Sequence, residues 1–527
     1  MKRKFQWLFP SSNYDAVPVA IGGFLIIYAL TRHSGIGVSP DSIVYMSSAA
    51  NFVEHGVLKD YQNVPIADFP CFYPLFLSGL LFITRLKVMD FAPVLNGLLF
   101  ALLIYGWGWV MERFRVCSKI YKWILLVIIA TSPCLLEVYS MLWSETLFML
   151  WILLLMPALR HYGRARSTGS VLVVGLITAM ACITRYAGIT LAGTAGLFIL
   201  LGGSLKPLKK IAHLFLFGLV SASLLTLNLI RNNLVNGTLT GWREKGITSF
   251  GQNLHDLGSV FCDWLPFFNG RYAGAAALAV CWFGLLAFLF VRRLVRWFAA
   301  SPPLPAVEPD TIGFWSYENM ATVFFIVYFL FILLSATFSR FQTLNSRLLS
   351  PLFIPWVLGA SSWVPSLFRQ LATGRRRRWR IPALIAALLA AGCFLWGQKQ
   401  TDAETWDGVK DAGIPGYTED PWRNSETVKY IRDNKTFFEN FSKRYTLYSN
   451  ANDAVWFLLG GLHADMLPHK DFKNDIAEFL AEKTFYVFWF NDASNPDLLT
   501  IPFISSHVRM VEEHHFEDGA VYKFSAP

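Results

Sequence analysis

The sequence predicts an all-α polytopic membrane domain followed by a small extracytoplasmic α/β domain. Three observations carry that prediction: the bulk apolarity of the chain, the regular return of apolar runs bounded by interfacial residues, and a turn to polar composition after residue 397. The 527 residues are 54% hydrophobic and 16% charged, with mean hydropathy +0.41. One soluble core cannot hide so much apolar surface, so the solvent for most of the chain is lipid. The division expected is a transmembrane domain over 1–397 and a soluble domain over 398–527.

About eleven apolar runs have the length and flanks of spans: 16–30, 91–110, 121–132, 146–159, 171–183, 187–201, 211–230, 275–291, 320–336, 348–364 and 381–396. The first follows Met1 to Lys4 and resembles a signal peptide, but is read as an uncleaved first span. The net charge of +10 gives no reason to expect nucleic acid, because the basic residues stand in short clusters between apolar runs. With residue 1 inside, Arg113/Arg115/Lys119/Lys122, Arg160/Arg164/Arg166, Lys206/Lys209/Lys210, Arg292/Arg293/Arg296 and Arg375–Arg378 all fall on the cytoplasmic side. The carboxyl terminus then lies outside, in what is expected to be a bacterial inner membrane.

The apolar stretch 72–82 would reverse this parity if it crossed. It is therefore placed as a surface helix between Pro70/Pro74 and Arg85/Lys87, within a first outer loop of about 32–90. In that loop Ser39-Pro40-Asp41-Ser42 reads as a helix start. Ile43, Met46, Ala50 and Val53 recur at helical spacing opposite Ser47, Ser48, Asn51 and Glu54, as in an amphipathic helix. Beyond the last span, strands are expected at 446–449 and 485–490, helices at 453–459 and 473–482, and a hairpin over 508–524 turning at Asp518-Gly519.

Charge next to lipid is costly, about 2.5 to 3.5 kcal/mol at mid-bilayer, so charges at span ends are the first place to seek chemistry. Asp41, Asp68, Glu145, Arg185, Arg231, Arg340 and Arg347 all map to outer loops or outer span ends. Each has a plainer reading. Asp41 and Glu145 suit helix N-termini, Asp68 a loop turn, and Arg185, Arg231 and Arg347 head-group anchoring. The seven cysteines are scattered without metal-binding spacing, and no zinc or disulfide framework is indicated. The Asn236, Asn434 and Asn440 sequons matter only in a glycosylating host.

Asp41 with Tyr45 one turn along, then Asp68 and Phe69-Pro70-Cys71-Phe72-Tyr73-Pro74-Leu75, resemble the C-type (GT-C) superfamily of membrane glycosyltransferases, near its protein mannosyltransferase (PMT-like) and aminoarabinose transferase branches. The resemblance continues through Ser144-Glu145-Thr146-Leu147-Phe148 and Asn345-Ser346-Arg347-Leu348-Leu349-Ser350-Pro351, over about the first 360 residues. Asp41 is followed by Ser42 where the mannosyltransferases carry Glu, which points to a looser bacterial relative.

The resemblance implies an inverting transfer of a sugar from a polyprenyl-phosphate carrier to an acceptor hydroxyl on a glycan, lipid or protein. Asp41 is the candidate base, with Asp68 and Glu145 as further acids. Tyr45, Arg185, Arg231 and Arg347 are candidates for substrate and phosphate. The cofactor is left open, with a divalent cation near Asp41, His33 and His55 as the candidate. The rival classes are a transporter or flippase and a non-catalytic scaffold of a glycan pathway. A transporter needs a midplane cavity and usually a repeat, neither of which the sequence shows.

Overall fold

An apolar run becomes a helix in a bilayer because no water is present to satisfy its backbone groups. The computed structural model describes residues 11–525 except 115, 117, 203–204, 266–267, 269, 300–312, 341–342, 372–377 and 494. Arg115 and Arg375 to Arg377 of the expected basic clusters lie outside the described residues.

Sixteen helices precede the sheet domain: α1 (Val17–Leu30), α2 (Pro40–His55), α3 (Phe72–Thr84), α4 (Val88–Met111), α5 (Lys119–Ala130), α6 (Pro133–Ser140), α7 (Glu145–Ala165), α8 (Thr168–Thr184), α9 (Ile189–Leu201), α10 (Pro207–Asn236), α11 (Phe250–Asp263), α12 (Ala275–Ala299), α13 (Tyr317–Phe338), α14 (Ser346–Ser361), α15 (Val364–Leu371) and α16 (Arg380–Ala412). Among the described residues, eight helices are long and apolar enough to cross a membrane, or nine if the bent pair α5–α6 is one span. Two shorter apolar helices, α8 and the segment Tyr186–Leu201, account for the remaining expected runs. The chain is an integral, multi-pass membrane protein. The stretch read as a surface helix is α3, whose 13 residues rise about 20 Å against a hydrocarbon core of about 30 Å.

The chain divides into two compact units, Met1–Leu30 with Ala67–Tyr73 and Phe91–Asp407, and Thr31–Ile66 with Pro74–Asp90 and Gly408–Pro527. In the first, α8 packs along α10 and α7, and α13 against α14 and α12. A Cβ at Gly175 would stand 2.9 Å from Val220, so the glycine sets how closely α8 approaches α10, as small residues do where helices meet in lipid. Helices α10, α12 and α16 keep most of their apolar residues uncovered, while α7 and α14 are largely buried. The uncovered apolar faces of the first three suit contact with lipid. Helix α11 carries no span-like run and is amphipathic. It buries Leu257, Val260 and Phe261 against an aromatic group that includes Phe329, Trp264 and Trp356.

In the second unit the first loop is stitched to the segment after α16. Tyr417 N–H donates to Val38 O (2.8 Å), Ile414 N–H to Ser34 Oγ (2.8 Å) and Thr418 Oγ1 to Ile36 O (3.2 Å). Helices α17 (Asp420–Arg423), α18 (Glu426–Asp433), α19 (Lys435–Ser442), α20 (Asn452–Leu458), α21 (Lys473–Leu480) and α22 (Ile501–His507) surround a five-stranded mixed sheet in the order β2-β1-β3-β5-β4. The strands are β1 (Thr446–Ser449), β2 (Asp465–Met466), β3 (Thr484–Phe490), β4 (Arg509–His515) and β5 (Gly519–Ser525). β1 runs parallel to β2 and β3, and the β4–β5 hairpin adds antiparallel to β3. The expected strands, helices and hairpin are present, while β2, α17, α18, α19 and α22 are additions too short or too polar to stand out in the sequence.

One expectation for α2 fails. Ser47 and Ser48 are buried at 2% and 0% exposure, whereas Val53 is 39% exposed. Ile43 and Met46 of the expected apolar face are buried as well, so the first three turns of the helix are covered on both faces while its end is exposed.

Candidate functional site

Three helix ends of the first unit converge on one carboxylate. Glu145 opens α7, where an acid is favoured by the helix dipole. Arg185 caps the carboxyl end of α8 in extended conformation, and Arg347 sits in the first turn of α14, which Asn345 caps through Leu348 N–H. Arg185 Nη1 lies 2.6 Å from Glu145 Oε2, and Arg347 Nε donates to Glu145 Oε1 at 2.8 Å. The Glu145 side chain is 1% exposed, against 18% and 15% for the two arginines. Arg185 also donates to Ser144 Oγ (2.8 Å), and the Arg347 guanidinium lies over the Trp143 ring at 4.0 Å.

This triad carries one formal positive charge. A further carboxylate, the exposed Glu137 of α6, is within electrostatic reach of Arg347 and Glu145. A cation at the start of α14 stands against that helix's dipole. Glu145 offsets it, and both guanidinium planes are held where a partly exposed anion can meet them.

Asp68 and Arg231 belong to a second group in the same unit. The exposed Asp68 carboxylate packs on Gly241, where a Cβ would fall 1.5 Å from Asp68 Oδ1. With φ at +75°, only glycine suits that position. Arg243 Nη2 donates to Asp68 O (3.3 Å), and Tyr186 OH to Ala67 O (2.8 Å). Asn232 donates to Ala67 O and Tyr186 OH, and accepts from Arg231 Nη1 at 3.1 Å. Arg231 thus reaches the Asp68 segment through Asn232. Cys71 N–H donates to Asn228 Oδ1 (3.3 Å), and the Phe72 ring tilts against Trp151, fixing the start of the Pro-rich segment on α10 and α7.

Asp41 and Tyr45 lie in the second unit, in the first two turns of α2. Asp41 is half-buried and Tyr45 is 1% exposed. Asp453, at the start of α20, is within electrostatic reach of Asp41 and accepts from Tyr417 OH at 3.0 Å. Burial pushes the Asp453 carboxyl up from its ordinary value, and Tyr61 and Tyr417 are pushed up by burial and by Asp453. Among the described residues no group of three or more His, Cys, Asp or Glu side chains is placed to hold a metal ion. The two histidines considered for a cation each pair elsewhere, His33 with Asp420 (3.0 Å) and His55 with Glu54 (3.8 Å).

Ser144, Trp143, Arg243, Asn232, Tyr186, Asp453 and Tyr417 are site neighbours that the sequence did not single out as site residues. Arg243 between Gly241 and Gly246, in a polar connection, was the one available signal.

No protein-family model matches the sequence, and the comparison with curated proteins gives no significant match. Solved structures do match. The apo crystal structure of ArnT, an aminoarabinose transferase from Cupriavidus metallidurans, superposes with a TM-score of 0.53 at 11% identity, over 95% of this chain and 96% of that one. ArnT bound to undecaprenyl phosphate gives 0.47 at 12% identity over 96% and 97%. The mycobacterial arabinofuranosyltransferase AftD gives 0.41 at 13% over 97% of this chain and 41% of that one. The chain shares the fold of ArnT.

Proposed function

We propose that the protein transfers a sugar from a polyprenyl-phosphate carrier to an acceptor hydroxyl at the outer face of a bacterial inner membrane, with inversion at the anomeric carbon. The observation that carries this reading is the buried Glu145 holding Arg185 and Arg347 as a pair, in a chain with this fold. Undecaprenyl phosphate, the lipid in the second ArnT crystal, is a carrier of the proposed class.

The acceptor oxygen attacks the anomeric carbon as the bond from that carbon to the phosphate oxygen breaks. The acceptor's proton passes to a carboxylate, for which Asp41 is the candidate, and the electron pair leaves on the lipid phosphate. Charge growing on that phosphate is met by Arg185 and Arg347, whose forked donors match two phosphate oxygens. Glu145 is a positioning residue that fixes both guanidinium planes before the donor arrives, so little reorganisation is needed during the reaction. Tyr45 supports Asp41 from the next turn of α2. Asp68 and Arg231, joined through the Asn232 network, shape the donor side beside the Pro-rich segment. The acceptor is a glycan, lipid or protein hydroxyl, and no nucleic acid is involved.

The test reconstitutes the full chain in vesicles with a panel of radiolabelled polyprenyl-phosphate sugars and lipid and glycan acceptors. At least one pair is expected to give product. Asp41→Asn is expected to reduce transfer about 100- to 10,000-fold, the range of a lost general base. Full transfer by both Asp41→Asn and Arg347→Ala would remove the reading.

A further inference from the structure

A polar cavity in the second unit is separate from the arginine triad and from Asp41 itself. It has a volume of about 430 Å³, within the roughly 300–1,000 Å³ usual for small-molecule sites. One wall is the later part of α2, with Ser47, Asn51 and Glu54. A second is the turn after it, with Tyr61 and Gln62, and a third is the end of α20 with Trp456 and the following His463.

The turn is held firmly. Asn51 Nδ2 donates to Lys59 O (2.8 Å) and Asp60 O (3.1 Å), and Asp60 Oδ1 accepts from the N–H groups of Gln62 and Val64 at 2.9 and 3.0 Å. Asn63 takes the left-handed conformation that closes it, at φ 63°. The turn thereby carries the Tyr61 ring to Trp456, with ring centroids 5.9 Å apart and planes 47° from parallel.

The lining determines the class of ligand. Two aromatic rings give flat apolar faces, while amide, carboxylate and imidazole groups around them give in-plane donors and acceptors. That alternation suits a saccharide, whose ring has C–H faces and a hydroxyl rim. No lysine or arginine lines the cavity, and Glu54 and Asp60 do, so a phosphorylated ligand is disfavoured. An acyl chain would leave the polar groups buried and unpaired.

The cavity is linked to the candidate base through shared neighbours. Ser47 is about 9 Å along the α2 axis from Asp41 at 1.5 Å per residue. Tyr61 lines the cavity and neighbours Asn452 and Asp453, the latter in turn within reach of Asp41.

We infer that this cavity is a saccharide subsite holding a neutral or amino-bearing sugar of the acceptor. The inference rests on the transferase reading above for the word acceptor, but not for the binding itself. The probe is a panel of methyl hexosides, methyl hexosaminides and their disaccharides, with glucose 6-phosphate as the anionic control. Binding to the full chain in nanodiscs is read by saturation-transfer NMR and titration. At least one neutral or amino sugar is expected to bind, with glucose 6-phosphate weaker. Trp456→Ala should weaken binding about tenfold, the scale of one lost aromatic contact, and Trp456→Phe should largely restore it. Glu54→Gln, on an exposed side chain, should narrow the preference against glucose 6-phosphate without unfolding the domain. No binding by any sugar of the panel, or equal binding by wild type and a folded Trp456→Ala, would overturn the subsite. If sugar binding is lost in Trp456→Ala while Asp41→Asn and Arg347→Ala keep full transfer, the subsite stands and the catalytic assignment falls.

Discussion

The first unit contains two buried ion clusters at opposite ends of its helices, and they are built in opposite ways. At the end where α1 begins, Lys122 is fully buried. Its three ammonium donors are all used, by Asp15 Oδ1 (2.6 Å), Glu112 Oε1 (2.6 Å) and Asn13 Oδ1 (3.0 Å). At the other end Glu145 is the buried group, and the two cations around it are partly exposed. In the first cluster the cation is closed off by anions, so no positive charge is left for a ligand. In the second one anion holds two partly exposed cations, so the cluster keeps a net positive charge. Closed satisfaction stabilises a helix junction, whereas a held but open cation is what a phosphate site requires.

The sharpest way to break this comparison is Lys122→Met, which strands two carboxylates. Stability in detergent is expected to fall by about 3 to 5 kcal/mol in denaturant titration, with transfer per folded molecule unchanged. A folded variant that lost transfer would make the first cluster functional after all. Arg347→Ala should do the reverse, lowering transfer about 100- to 1000-fold while unfolding shifts far less. A large stability loss with normal transfer would reduce the second cluster to a structural clamp. Glu145→Gln keeps shape but removes the charge holding the guanidinium pair. Transfer is expected to fall about tenfold, with stability down by about 1 to 3 kcal/mol, read in the same two assays. If it were silent in both, the idea of pre-set arginines would be lost.

The smallest effect sharpens the contrast between buried and exposed pairs. Asp465, bonded to His463 at 3.1 Å, holds the imidazole above its ordinary value near 6.5, while both side chains are about half exposed. The folded state favours the protonated form, so this stabilisation is complete below the ordinary value and is lost as pH rises through the raised one. Screening by solvent limits it to about 0.5 kcal/mol. Thermal unfolding at pH 6 and pH 8 should therefore differ slightly, and His463→Gln should remove the difference. An unchanged difference would assign the pH dependence to another group.

Much of the helical layout was legible because a bilayer imposes a simple rule on sequence. All eleven expected runs correspond to helices, and even the short α8 and Tyr186–Leu201 follow from their apolar length. Glu145 and Arg185 drew notice as charges beside lipid, which is an energetic signal visible in one dimension. Their meeting with Arg347, 202 residues from Glu145, was not visible, because no local pattern encodes which helix ends become neighbours. α11 escaped notice because an amphipathic helix against the bundle has no continuous apolar run. The buried serines of α2 misled the face assignment because small polar groups fit a covered face once a partner packs there. Ser47 then satisfies its hydroxyl on Ile43 O at 2.7 Å.

By itself, then, the sequence determined the solvent, the helices and the level at which charge is tolerated. These depend on transfer free energies of residues taken singly or in local runs. Tertiary structure alone decided that Glu145 holds a pair of arginines, that Asp453 neighbours Asp41, and that Tyr61 meets Trp456 across a cavity. Each of these depends on contacts between distant segments, whose geometry is set by helix and sheet packing that no single stretch of chain specifies.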